Sequence, residues 1–92
     1  MKEKVIGTCE KIWHELGARG RANVYDLSQA IREDEEIVNL ALGWLAREDK
    51  VECFPEHRER MFELVESEMK VFRKMYGETR PRKRSIWSRL LR

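Results

Sequence analysis

Two cysteines and two histidines are the residues of this chain best suited to hold a metal or act as nucleophile and base, and their spacing argues against both roles. Cys9 and His14 lie five apart in an amphipathic stretch, where a helix points them to different sides, and Cys53 and His57 straddle a turn. Zinc sites use tighter pairs. Both cysteines fall on apolar faces, where a small buried thiol is the commoner explanation. Two are too few for a disulfide scaffold and suit a reducing compartment. No nucleophile-base pair, glycine-rich phosphate loop or paired-carboxylate motif is recognisable, and Ser28 and His14 alone define no reaction. No catalytic residue, metal or cofactor is therefore expected, which leaves the chemistry of recognition.

Recognition residues concentrate in Glu35 to Val51, EEIVNLALGWLAREDKV. Val38, Ala41, Leu42 and Leu45 share one side by the three-and-four spacing that buries a stripe on a helix. The outer side carries Asn39, Leu40, Gly43, Trp44 and Arg47, with Glu35 and Glu36 ahead of them. Side chains that read base edges are mostly Arg, Lys, Asn, Gln, Ser or Thr, and only Asn39 and Arg47 qualify here. Asn39 could pair with an adenine edge and Arg47 could meet a phosphate, while Arg58 and Arg60 beyond the helix could reach the neighbouring backbone. Glu56 and Glu59 dilute that second group, and Glu35 and Glu36 would be repelled by phosphates. Leu40, Gly43 and Trp44 carry a different reading, because a flat glycine between a leucine and a large aromatic lets another helix approach closely. Tryptophan is a frequent interface anchor, and one self-complementary patch suffices for a symmetric dimer. Trp44 packed under a fourth helix or against the hairpin of its own chain is the intramolecular alternative.

Several elements must position these side chains. Val5, Ile6, Cys9, Ile12, Trp13 and Leu16 form one stripe, which predicts a first helix from Glu3 to Leu16 with Gly17 as its stop. Ala18 to Arg21 reads as a loop and Ala22 to Val24 as a short extended segment. A second helix, Tyr25 to Arg32, is expected to bury Leu27, Ala30 and Ile31, and Asp34 is a suitable N-cap for the third. Glu35 and Glu36 then favour the positive end of its dipole. Lys50 to Phe54, with Val51 and Cys53 on one face, a polar turn at Pro55 to Glu59 and an apolar run from Arg60 to Val65 predict a hairpin. Met69, Phe72, Met75 and Tyr76 recur at helical spacing and predict a fourth helix, Glu66 to Tyr76, ended by Gly77. A longer strand from Phe62 to Phe72 competes with it.

Helix, short strand, helix, turn, helix, hairpin is the order of a winged helix-turn-helix. The phrase ALGWLAREDKV at Ala41 to Val51 adds a more specific likeness. It resembles a small prokaryotic winged helix-turn-helix family of uncharacterised function, which has a similar helix-to-wing sequence and a first helix with a tryptophan like Trp13. The likeness covers roughly Val5 to Val65, and it implies the fold while saying little of the activity.

At 92 residues the chain has room for one modest core, because dividing it would leave neither half enough apolar surface to offset chain entropy. It is 41% hydrophobic and 39% charged, and no apolar run approaches the ~18 residues of a membrane span. Met1 to Lys4 leads straight into an amphipathic pattern rather than a secretory signal, so a cytoplasmic protein is expected. The net charge of +2 is uneven: Arg80, Arg82, Lys83, Arg84, Arg89 and Arg92 against Glu78 give residues 78–92 a charge of +5, leaving −3 for residues 1–77. Beyond Gly77, Pro81 interrupts a basic linker, and Ser85 could cap a short amphipathic segment with Ile86, Trp87, Leu90 and Leu91. That tail reads as a solubilising end, a polyanion contact or a docking segment.

The fold class predicted is α+β, mostly helical: a winged helix-turn-helix, with three-helix core and β-hairpin wing, and a C-terminal helical extension. Residues 1–77 form the domain and residues 78–92 a basic tail. The expected function is a non-enzymatic, DNA-associated, regulator-like module making weak or non-specific contact with double-stranded DNA. Arg58, Arg60, Arg82, Lys83 and Arg84 supply that contact. The alternative is a protein-partner or homodimer interface at Leu40, Gly43 and Trp44, with no nucleic acid. A membrane is not an expected partner.

Overall fold

The computed structural model describes residues 2–77; the basic tail, with Arg82, Lys83 and Arg84 and the segment around Trp87, lies outside the described residues. The chain order is α1 (Lys2–Arg19), α2 (Val24–Ile31), α3 (Glu35–Arg47), β1 (Val51–Glu56), β2 (Glu59–Leu64) and α4 (Glu66–Tyr76). This is the predicted winged helix-turn-helix with a C-terminal helix. None of the described helices is long and apolar enough to cross a membrane.

The first helix turns Val5, Thr8, Cys9, Ile12 and Leu16 inward. Ile6, expected in that stripe, is instead 42% exposed. Gly17 does not stop α1, which continues to Arg19. Termination falls to Gly20, whose φ of +93° takes the left-handed conformation while its N–H reaches Leu16 O at 2.7 Å. Gly17 is small for another reason. A methyl group placed on it would lie 2.6 Å from Phe72 Cγ, so the missing side chain is what lets α4 settle against α1.

Ala22 then pairs with Phe62 through two backbone hydrogen bonds of 3.1 and 2.8 Å. That single bridge gives β2 a neighbour on each edge and ties the wing to the loop before α2. Asn23 caps α2 by accepting the Asp26 N–H at 2.7 Å. Leu27 and Ser28 of this short helix are buried and Val24 and Ile31 pack partly against the core; Ala30, expected to be buried, is on the exposed side. Asp34 does occupy the N-cap position of α3, but its side chain accepts no capping hydrogen bond. Val38, Ala41, Leu42 and Leu45 are buried as their spacing predicts. With Ile12, Leu16 and Leu27 they form the centre of the core, each such side chain contributing about 1.5–3 kcal/mol on full burial, with Ala41 less.

The hairpin runs antiparallel in register from Val51 opposite Leu64 to Glu56 opposite Glu59. It turns through His57 and Arg58, whose φ values of 52° and 69° are both positive, as a two-residue turn matching the strand twist requires. That compact turn lets β1 run to Glu56 rather than ending at Phe54. One face carries Val51, Phe62 and Leu64, all buried on the core. Cys53 shares that face but is exposed, contrary to expectation. It sits on β1, the outer strand, while its partner Phe62 on the central strand takes the buried place.

Helix α4 follows with the predicted bounds and rests on α1. Trp13 Nε1 donates to Glu68 Oε1 at 2.7 Å, and the Trp13 and Phe72 rings are 5.5 Å apart. The His14 ring and the Tyr76 hydroxyl share a 2.7 Å hydrogen bond. Phe72 is buried, Met69 half-buried, and Met75, at 61%, is exposed rather than part of the packed stripe.

Candidate nucleic-acid interface

The outer side of α3 is open. Leu40 is 48% exposed and Trp44 41%, and a side chain added at Gly43 would meet nothing within 4 Å. Asn39 and Arg47 are exposed on the same helix, and so are Glu35 and Glu36 in its first turn. Among the described residues, neither the wing nor α4 encloses Trp44. This is the side of the third helix that a winged helix would present to a major groove, and here it is apolar at its middle and acidic at its start.

The electrostatics of the adjoining wing run the same way. From residue 35 to residue 64 the sequence holds eight carboxylates and four basic side chains. Glu52, Glu56, Glu59 and Glu63 alternate onto one face of the hairpin with Phe54 and Met61. Arg21 lies across that face: its guanidinium donates to Glu63 and to Glu56, each at 3.1 Å, and its carbon stands 4.4 Å from the centre of the Phe54 ring. Asn23 adds a hydrogen bond to Glu59. An open cleft of about 1000 Å³ between this face, the loop after α1 and the start of α4 is lined by Asp26, Glu52, Glu59 and Glu66 as well. Like charge turns phosphates away from it.

Arg58 and Arg60 are exposed near the wing apex, Arg58 in the turn and Arg60 opposite Pro55 on the face away from the acidic cleft. Among the described residues, Arg47, Arg58 and Arg60 make no ion pair with a carboxylate, so their charge is available to an outside partner. The remaining candidates, Arg82, Lys83 and Arg84, lie outside the described residues.

Cys9 is buried, its Sγ donating to Ala41 O at 3.5 Å, and burial pushes its thiol up. Among the described residues, no group of three or more His, Cys, Asp or Glu side chains is placed to hold a metal ion.

Residues 1–64 match the winged helix-turn-helix domain family DUF2582. The chain belongs to that family. No curated protein matches it. Among solved structures it is similar to the E41A mutant of ZitR from Lactococcus lactis, with a TM-score of 0.67 and 15% identity, covering 74% of this chain and 48% of that one. It is also similar to the adhesin competence repressor AdcR from Streptococcus pyogenes, with a TM-score of 0.63 and 23% identity over 91% of this chain and 63% of the repressor. Reduced HlyU from Vibrio cholerae gives 0.64 and 17% over 77% and 78%. The DUF2582 chain thus spans about half to two thirds of the first two, and at these identities the likeness is one of fold.

Arg21 was expected only as part of a loop, although Glu52, Glu56 and Glu63 alternating on a strand pair already called for a cation nearby. Replacing Arg21 by alanine is expected to lower stability by about 1 kcal/mol, because the pairs are partly exposed and screened but leave two carboxylates side by side. For a domain of this size that is a fall of roughly 5 °C in Tm. An unchanged thermal melt would show that the clamp contributes nothing.

Proposed function

We propose that this protein is a non-enzymatic, cytoplasmic binding module of the regulator type. Its contact with double-stranded DNA is electrostatic and weakly sequence-selective, through Arg58 and Arg60 of the wing and Arg82, Lys83 and Arg84 of the tail. Membership of a winged helix-turn-helix family and the shared fold of a repressor support the DNA partner. The observation that carries the weakness of sequence reading is the exposure of Leu40 and Trp44 where base-reading side chains would stand. Arg47 adds a phosphate contact at most, and Asn39 is the lone side chain suited to a base edge.

The test compares two double variants in salt-titrated binding to duplexes of unrelated sequence. Arg58→Ala with Arg60→Ala is expected to weaken all duplexes alike and to reduce the slope of log K against log salt by about 2. Asn39→Ala with Arg47→Ala is expected to leave the ranking of duplexes unchanged. A strong preference for one sequence that disappears in the second variant would show that α3 reads bases after all. The second reading, a protein partner at Leu40, Gly43 and Trp44, is favoured by the same exposure and is compatible with DNA held elsewhere on the chain.

A further inference from the structure

We infer that the outer face of α3 is a self-association surface, on which a second copy of this chain lays its own α3 antiparallel. The inference rests on the reading that α3 is not occupied by DNA, and it commits to a register. Glu36, Leu40, Gly43 and Arg47 succeed one another at intervals of four, three and four residues, the seam spacing of paired helices. They lie directly opposite the buried row of Val38, Ala41, Leu42 and Leu45. This seam begins with an acid, ends with a base, and has a leucine and an open glycine between them.

Glu36 and Arg47 stand eleven residues apart, about 16 Å along the axis at a rise of ~1.5 Å per residue, so they are out of each other's reach within one helix. Neither forms an ion pair among the described residues. A two-fold axis between positions 41 and 42 changes that. It brings Glu36 opposite the second copy's Arg47, and by symmetry Arg47 opposite the second copy's Glu36. The same operation sets Leu40 over the second copy's Gly43, where nothing within 4 Å of a Cβ position obstructs it. Trp44 flanks the seam and comes alongside the second copy's Leu40, covering the two exposed apolar side chains of the helix together. Every contact occurs twice, as an isologous interface requires. A parallel arrangement would instead set Glu36 against Glu36 and Arg47 against Arg47.

Gly43 supplies the decisive variant, because a side chain there leaves the monomer undisturbed and improves helix propensity. In sedimentation equilibrium of the full chain across micromolar to submillimolar concentrations, the wild type is expected to dimerise. Gly43→Gln is expected to raise the dissociation constant at least tenfold without lowering Tm. Glu36→Arg alone should weaken the dimer by a similar factor, and Glu36→Arg combined with Arg47→Glu should restore it. A wild type that stays monomeric throughout overturns the inference, as does a Gly43→Gln protein that dimerises as well as the wild type. A charge swap that fails to rescue also overturns this register. DNA binding is scored separately, with the Asn39→Ala, Arg47→Ala variant beside these samples: loss of a sequence preference in that variant defeats the functional proposal, whereas loss of the dimer alone leaves that proposal standing.

Discussion

Deleting residues 78–92 is expected to lower the affinity for a random-sequence duplex about 100-fold near 0.1 M salt and to flatten its salt dependence by a slope of about 3. Arg82, Lys83 and Arg84 would each release roughly one condensed counterion on meeting a phosphate. The remaining residues 1–77 carry −3, and the helix and wing that would face the groove hold twice as many carboxylates as cations. The truncated chain therefore has Arg47, Arg58 and Arg60 to work with against a repulsive background. Among the described residues the buried core runs from Val5 to Phe72, all of it within residues 1–77, so the truncation should leave Tm unchanged. A melting curve on the same sample thus separates loss of contact from loss of fold. Undiminished binding by residues 1–77 would place the cationic surface in the domain and not in the tail.

The second large effect lies where α1 meets α4. Gly17→Ala is expected to destabilise the protein by about 1–3 kcal/mol, although alanine favours helices over glycine by about 1 kcal/mol, because the new methyl group overlaps the Phe72 ring. Phe72→Ala removes a buried ring and is expected to cost about 3 kcal/mol or somewhat more. In that background the overlap is gone, so Gly17→Ala should now stabilise by up to about 1 kcal/mol. The sign reversal, measured by urea unfolding of the four combinations, is a coupling between residues in contact. Equal effects of Gly17→Ala in both backgrounds would show that Phe72 does not press on Gly17.

This contact also shows how much of the fold could be read from the chain. Local patterns were legible: the rows Val38, Ala41, Leu42, Leu45 and Val5, Cys9, Ile12, Leu16 are periodic, and the fourth helix was framed by Glu66 and Gly77. What was not legible depends on partners distant in sequence. Gly17 looks like a helix stop until Phe72 is laid on it, and the extended segment read at Ala22 has no visible partner until its backbone pairs with Phe62. Cys53 and Phe62 sit opposite each other on one face, yet only their positions in outer and central strands decide which is covered. The outer side of α3 could be listed residue by residue from periodicity alone, since a helix with a buried stripe must present the rest. That Trp44 stays exposed among the described residues depends on where the wing and α4 pack, which periodicity does not give.

The turn at His57 and Arg58 has a consequence for evolution of the wing. Left-handed backbone costs a residue with a Cβ roughly 1–2 kcal/mol, and two such residues stand in succession there. Asn-Gly would relax the hairpin tip while erasing its guanidinium. Local conformational ease and cationic display therefore pull this dipeptide in opposite directions, making it the point at which a more durable relative and a more adhesive one would diverge.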